Sequence, residues 1–251
     1  MEGCVEIARL FSVRSAAFAC VLLPLCVAAA QVPDRGGQLR IQVWAELDAF
    51  PGSFEPDGQE AGEKSSAAEK KTEFESLYGF AVERMRQIAP FIMEGLLYGW
   101  NFEYTPYDKT RGVEELWEFS RVREFDPAVN RLSFHNPVPK DGKLLSWVYC
   151  DRTEAQQQEY RRWTSIVYPK VKGTGTGSVE DGFKGIQEAC SQAAKNAVRE
   201  YWRTLIKNKP KEISGRILLT KEPRIYIKSG RYVVDLDFFL ETDRIVPYSC
   251  Y

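Results

Sequence analysis

The sequence predicts an α+β fold, mostly antiparallel sheet packed against two main amphipathic helices, and three observations carry that expectation. Two stretches repeat apolar residues at helical spacing, and several short ones alternate apolar with polar residues. The C-terminal third places a helix ahead of three strands, which predicts a helix followed by a three-stranded meander. A content of 44% hydrophobic and 27% charged residues is that of an ordinary globular chain.

The first thirty residues read as a secretory leader. Arg9 and Arg14 precede an apolar run from Ala16 to Val27, which closes on Ala28-Ala29-Ala30. A basic start, a short apolar centre and a small-residue end form a signal peptide, with cleavage expected after Ala30. The run is shorter than the ~20 residues a membrane-spanning helix needs. A rival reading lipidates Cys26, although Leu25 before it is bulky. The expected location is therefore outside the cytosol: periplasm, cell envelope or secreted. The leader takes two acids (Glu2, Glu6) and two bases (Arg9, Arg14) with it, so the net charge stays at -1. No transmembrane helix is expected in the mature chain, and no nucleic acid is expected as a partner of an exported protein.

From Leu39 to Ala49, Ile41, Val43, Ala45 and Leu47 share one face of a half-buried strand. Arg40, Gln42, Trp44 and Glu46 share the other. Pro51 to Lys71 mixes Gly, Pro, Ser and charges with little apolar content and reads as a flexible linker. Thr72-Glu73-Phe74-Glu75 reads as a capping box opening a helix. Its buried stripe is Phe74, Leu77, Tyr78, Ala81, Val82, Met85, Ile88 and Ala89, with Pro90 expected to kink or end it. Leu97 to Thr105 reads as a strand carrying Tyr98, Trp100, Phe102 and Tyr104 on one side.

Val113 to Val122 reads as a second, short helix. Arg131–His135 and Lys143–Cys150 read as a strand pair joined through Pro137, Pro139 and Asp141-Gly142. Asp151 is expected to open a polar helix to Thr164, with a strand from Ser165 to Val171. Gly173-Thr-Gly-Thr-Gly-Ser178 reads as a hinge, and Ser178 as the N-cap of the longest helix. That helix buries Ile186, Ala189, Cys190, Ala193, Ala197, Tyr201 and Leu205 and stops at Pro210. Ile213–Thr220, Arg224–Lys228 and Arg231–Leu240 finish the fold, with a tight turn at Ser229-Gly230. The divisions are a leader (1–30), a strand with a linker (31–71), an α+β region (72–172) and a helix with a meander (173–251). The last two are expected to share one core.

Three constellations suggest chemistry. From Lys195 to Arg231 eleven bases face only Glu200, Glu212 and Glu222, a local charge of +8. Lys195, Arg199, Arg203 and Lys207 recur every four residues along one helix ridge, with Trp202 beside them as an anchor. Such a basic helix-hairpin segment suits an anionic lipid, an acidic cell-wall polymer or an envelope protein. The aromatic strand Tyr98, Trp100, Phe102 and Tyr104 suits a glycan-binding surface. Asp235 and Asp237 on one strand face, with His135 as a possible third member, would suit a hydrolase or metal-dependent enzyme.

Simpler structural roles compete with each. No G-x-S-x-G, P-loop or paired metal-ligand spacing is present, so no cofactor and no metal are expected. Cys150 and Cys250 form the favoured disulfide if one exists, with Cys190 buried and unpaired. The reading as a whole is a non-enzymatic envelope module that docks through its basic segment.

Overall fold

A computed structural model describes residues 37–48, 66–165, 167–206 and 210–248. The leader with Cys26 and Ala30, residues 49–65 of the expected linker, Lys207 and Cys250 lie outside the described residues.

Among the described residues, nine strands and three helices follow in the order β1 (Gln38–Glu46), α1 (Ser66–Leu97), β2 (Trp100–Thr105), β3 (Leu116–Arg121), β4 (Leu132–Lys140), β5 (Lys143–Asp151), α2 (Glu154–Trp163), β6 (Lys170–Ser178), α3 (Gly182–Leu205), β7 (Glu212–Leu219), β8 (Arg224–Lys228) and β9 (Arg231–Val246). Every strand pair described is antiparallel. A three-stranded sheet runs β1-β5-β4, and a six-stranded sheet runs β3-β2-β7-β9-β6 with β8 also on β9. The class is α+β, and the described residues all fall in one compact unit.

Alternation sets β1. Ile41, Val43 and Ala45 are buried against α1, while Arg40 and Gln42 stay exposed. Two hairpins close on paired left-handed residues, Asp141-Gly142 (φ 52° and 72°) and Ser229-Gly230 (φ 51° and 70°). That is the turn whose twist matches two antiparallel strands.

Five elements depart from the sequence reading. Helix α1 begins at Ser66, not at a cap on Thr72, because Ala67, Ala68, Glu69, Lys70 and Lys71 are good helix formers that extend a helix anchored further on. It also runs through Pro90, and the non-helical dihedrals fall at Tyr78 (φ -123°, ψ 23°). Phe91, Ile92, Met93, Leu96 and Leu97 are all buried, and their packing offsets the hydrogen bond that the proline lacks. The kink at Tyr78 divides α1 into two pieces, so the 24-residue α3 is the longest unbroken helix among the described residues.

The expected helix at Val113–Val122 is strand β3, paired along its whole length with β2. Leu116, Trp117 and Ser120 mimic a helical step, but Trp117 and Phe119 instead sit on the face shared with Phe102 and Tyr104. The expected hinge at Gly173–Ser178 is most of strand β6, so the strand placed at Ser165–Val171 lies too early. Ser178 ends that strand, and α3 starts after Asp181, whose side chain makes no cap. The last three strands are not a meander. β7 and β8 lie end to end along the same edge of β9, making one long hairpin interrupted at residues 220–223.

The glycines of β6 explain its sequence. A Cβ on Gly173, Gly175 or Gly177 would overlap the backbone carbonyls of Ala193, Ala189 and Gly185. Helix α3 therefore lies directly on the strand, and only glycine leaves room. Its facing stripe is correspondingly small: Gly185, Ala189, Ala193 and Ala197, with Cys190 and Ile186 buried beside it. On the opposite face of the sheet, Trp163 of α2 packs on Leu218 and Phe239.

Candidate functional site: basic residues and a cation-aromatic face

The structure sorts the basic residues of the C-terminal third into two groups. Several are answered by acids, some near in sequence and some remote. Lys195 pairs with Glu115 at 3.2 Å, and Arg203 with Glu200 at 2.7 Å. Arg216 reaches Glu159 at 2.7 Å and Glu241 at 3.3 Å, and Lys221 pairs with Asp237. Of the predicted ridge, Arg199 is exposed without an ion pair among the described residues, and Trp202 is half-buried with Tyr201 edge-on at 5.1 Å. Two of the four ridge bases, Lys195 and Arg203, are thus answered by acids.

On the hairpin, Arg224, Lys228 and Arg231 are exposed and make no ion pair among the described residues. Lys228 and Arg231 are opposite each other beside the turn, a like-charge pair that disfavours the hairpin. The hairpin meets the three-stranded sheet along a seam. There the Gln42 amide donates to Glu222 Oε2 at 2.6 Å, and Trp44 Nε1 donates to the Ile225 carbonyl at 3.0 Å. Ile88 and Ile92 floor a cavity of about 340 Å³ beneath that seam.

Beyond the seam lies a surface that the sequence reading did not single out. On the face of the three-stranded sheet turned away from α1, the Arg40 guanidinium sits 3.7 Å above the Trp147 ring and 5.7 Å from Tyr149. The Lys143 ammonium sits 3.7 Å from the Trp44 ring. His135, exposed on β4, meets Tyr149 edge-on at 5.1 Å. Strand alternation alone puts Trp44, Trp147 and Tyr149 on one side, opposite the buried Val43, Leu144, Val148 and Cys150. The signal was the alternation of Trp147 and Tyr149 with Ser146 and Val148. What the sequence hides is that β5 pairs with a strand more than a hundred residues earlier.

The other predicted sites are corrected. Trp100, Phe102 and Tyr104 are 0%, 2% and 4% exposed, so the aromatic strand is core and not a glycan platform. Trp100 stacks on Phe91 at 5.0 Å, and Trp117 donates its indole N–H to Ser191 of α3 at 2.9 Å. Burial, reinforced by Glu115, holds the Tyr104 hydroxyl above the ordinary phenol range. Tyr98 lies before the strand, and its hydroxyl donates to Asn130 Oδ1 at 3.1 Å and accepts from Gln156 at 2.9 Å.

The predicted carboxylate pair is not poised for acid-base work. Asp237 is engaged by Lys172 and Lys221, and Asp235 accepts from Thr174 at 2.7 Å. His135 lies on the other sheet from them. Among the described residues, no group of three or more His, Cys, Asp or Glu side chains is placed to hold a metal ion. Cys150 and Cys190 are buried thiols, and burial pushes Cys190 up to about 12. No described helix is long and apolar enough to cross a membrane.

These features define an α+β protein with a cationic hairpin beside an aromatic sheet face. The chain belongs to the protein family whose profile matches residues 26–248, a span that holds every element described here. It is similar to an uncharacterized protein of Treponema pallidum (strain Nichols), with 27% identity over 176 residues that cover 67% of this chain and 71% of that protein. No solved structure matches it.

Proposed function

We propose that the protein is an exported, non-enzymatic module of the cell envelope that docks on an anionic phospholipid surface. The observation that carries this reading is the set of hairpin cations that make no ion pair among the described residues, Arg224, Lys228 and Arg231, with Lys143 and the Glu222-facing Arg40 stacked on tryptophans across the seam. Stacked cations and half-buried indoles suit a head-group region, where an aromatic ring sits at the boundary and a base meets phosphate. The leader supports it by giving the protein access to such a surface.

Flotation with vesicles of phosphatidylcholine, with and without phosphatidylglycerol, tests the reading. Binding is expected only with the anionic lipid and weakens as salt is added. At ~1 kcal/mol per base near a charged surface, Arg224→Ala with Lys228→Ala weakens it by about 30-fold. Equal binding to neutral vesicles, or binding to purified cell wall with none to lipid, would overturn the proposal.

A further inference from the structure

The two helices head similar units. One runs β1-α1-β2-β3, and the other runs β6-α3-β7 followed by β8 and β9. In the six-stranded sheet β2 and β7 are central antiparallel neighbours, with β3 outside the first and β9 outside the second. The second unit then carries its leading strand, β6, along the far side of β9. The first does not follow suit, because β1 pairs with β5 in the other sheet. The position beside β3 that matches β6 is therefore empty among the described residues.

Edge strands normally carry a device against further pairing, and every other edge among the described residues has a proline, a register break or a bridging side chain. On β4 there are Pro137 and Pro139, a left-handed Asn136 (φ 51°) and a register break between His135 and Val138. On β6 the Asn196 side chain of α3 donates to the Thr174 carbonyl at 2.9 Å. The facing edges of β1 and β8 are bridged by Glu222 and Trp44. β3 has none of these. Its sequence Leu-Trp-Glu-Phe-Ser-Arg contains no proline or glycine, and its register on β2 is unbroken. No hydrogen bond from its second edge is present among the described residues. Leu116 is 53% exposed there.

We infer that this edge is a strand-addition site for a second copy of the chain, joining two sheets across a two-fold axis. A two-fold axis makes the added strand antiparallel, the same sense in which β6 lies on β9. Side chains directly opposite in such a pair share a face, which leaves few registers. Centring the axis on Phe119 places Phe119 against its own copy, Trp117 against Arg121 and Glu118 against Ser120. This opposes aromatic with aromatic and sets Trp117 against the stem of Arg121, whose guanidinium is held by Glu94 at 3.3 Å and Glu124 at 3.8 Å. Centring it on Glu118 instead would set two glutamates against each other.

The test is sedimentation velocity of the host-processed protein from about 1 to 100 µM, a range that brackets a micromolar association. Hydrogen exchange of the β3 amides is followed in parallel. Glu118→Lys with Ser120→Lys places lysines at exposed positions on both sides of the axis. A dimer that dissociates on dilution, β3 amides that gain protection with concentration, and a folded monomeric variant of unchanged melting temperature are the expected results. A wild type that stays monomeric throughout overturns the inference. So does a dimer that persists in the variant while the β3 amides exchange freely.

Discussion

Gly175 shows how closely this fold is drawn together. Its missing side chain lets the Ala189 carbonyl and the Ala193 amide of α3 lie against β6. Gly175→Ala must push the helix off the strand, and overpacking of this kind costs about 3 kcal/mol. Gly79, exposed in α1 with nothing within 4 Å of a built Cβ, provides the contrast. Gly79→Ala should gain about 0.5–1 kcal/mol from helix propensity and reduced freedom of the unfolded chain. Urea denaturation of both variants measures the difference, and equal midpoints would refute the close approach. This site also shows why β6 was misread. A run of glycines looks the same whether it frees a chain or admits a neighbouring backbone, and only the helix that starts at Gly182 distinguishes the two cases.

At the level of elements, an arginine of β7 helps tie α2 to the sheet. Arg216 of β7 reaches Glu159 of α2 and Glu241 of β9, and Arg162 spans the same two acids at 2.9 and 3.2 Å. Burial works to raise the Glu159 carboxyl, but hydrogen bonds from Arg162 and Arg216 outweigh it and hold the group below the ordinary carboxylate range. A depressed folded-state pKa contributes stability above the unfolded value and loses it as pH falls through the folded one. Arg216→Met leaves two carboxylates with one base. It should cost about 2 kcal/mol at neutral pH, discounted for partial exposure, and less in acid, where those acids are protonated. Faster amide exchange confined to α2 would accompany it. A loss that is the same at pH 7 and pH 3 would argue against this account.

Elements with a strict two-residue period or a paired turn were legible in the sequence: β1, the β4-β5 hairpin, β8 and the Ser229-Gly230 turn. β3 was not, because Leu116 and Trp117 fit a helical step as well as a strand, and the decision came from the neighbouring β2. The site was half legible. The hairpin bases stand out in the sequence, but the acids that answer Lys195 and Arg216 are 80 and 57 residues away.

For the whole molecule, the proposal that residues 1–30 are an export leader is what puts a lipid surface within reach. Protein recovered from fractionated native cells should begin at Gln31, and its intact mass should show neither residues 1–30 nor an added lipid. A chain that still starts at Met1 among soluble cytosolic proteins would remove the basis for a lipid partner.

The pairing of β1 with β5 bridges 113 residues at Gln38 and Asp151, and β2 obtains its second neighbour only from β7. Contacts so remote along the chain close slowly, since the intervening loop must be gathered first. The leading half of a nascent polypeptide therefore lacks the strands needed to lock its sheets until the trailing half has emerged. An order of assembly like this keeps the chain threadable until late, a property that suits the export proposed above.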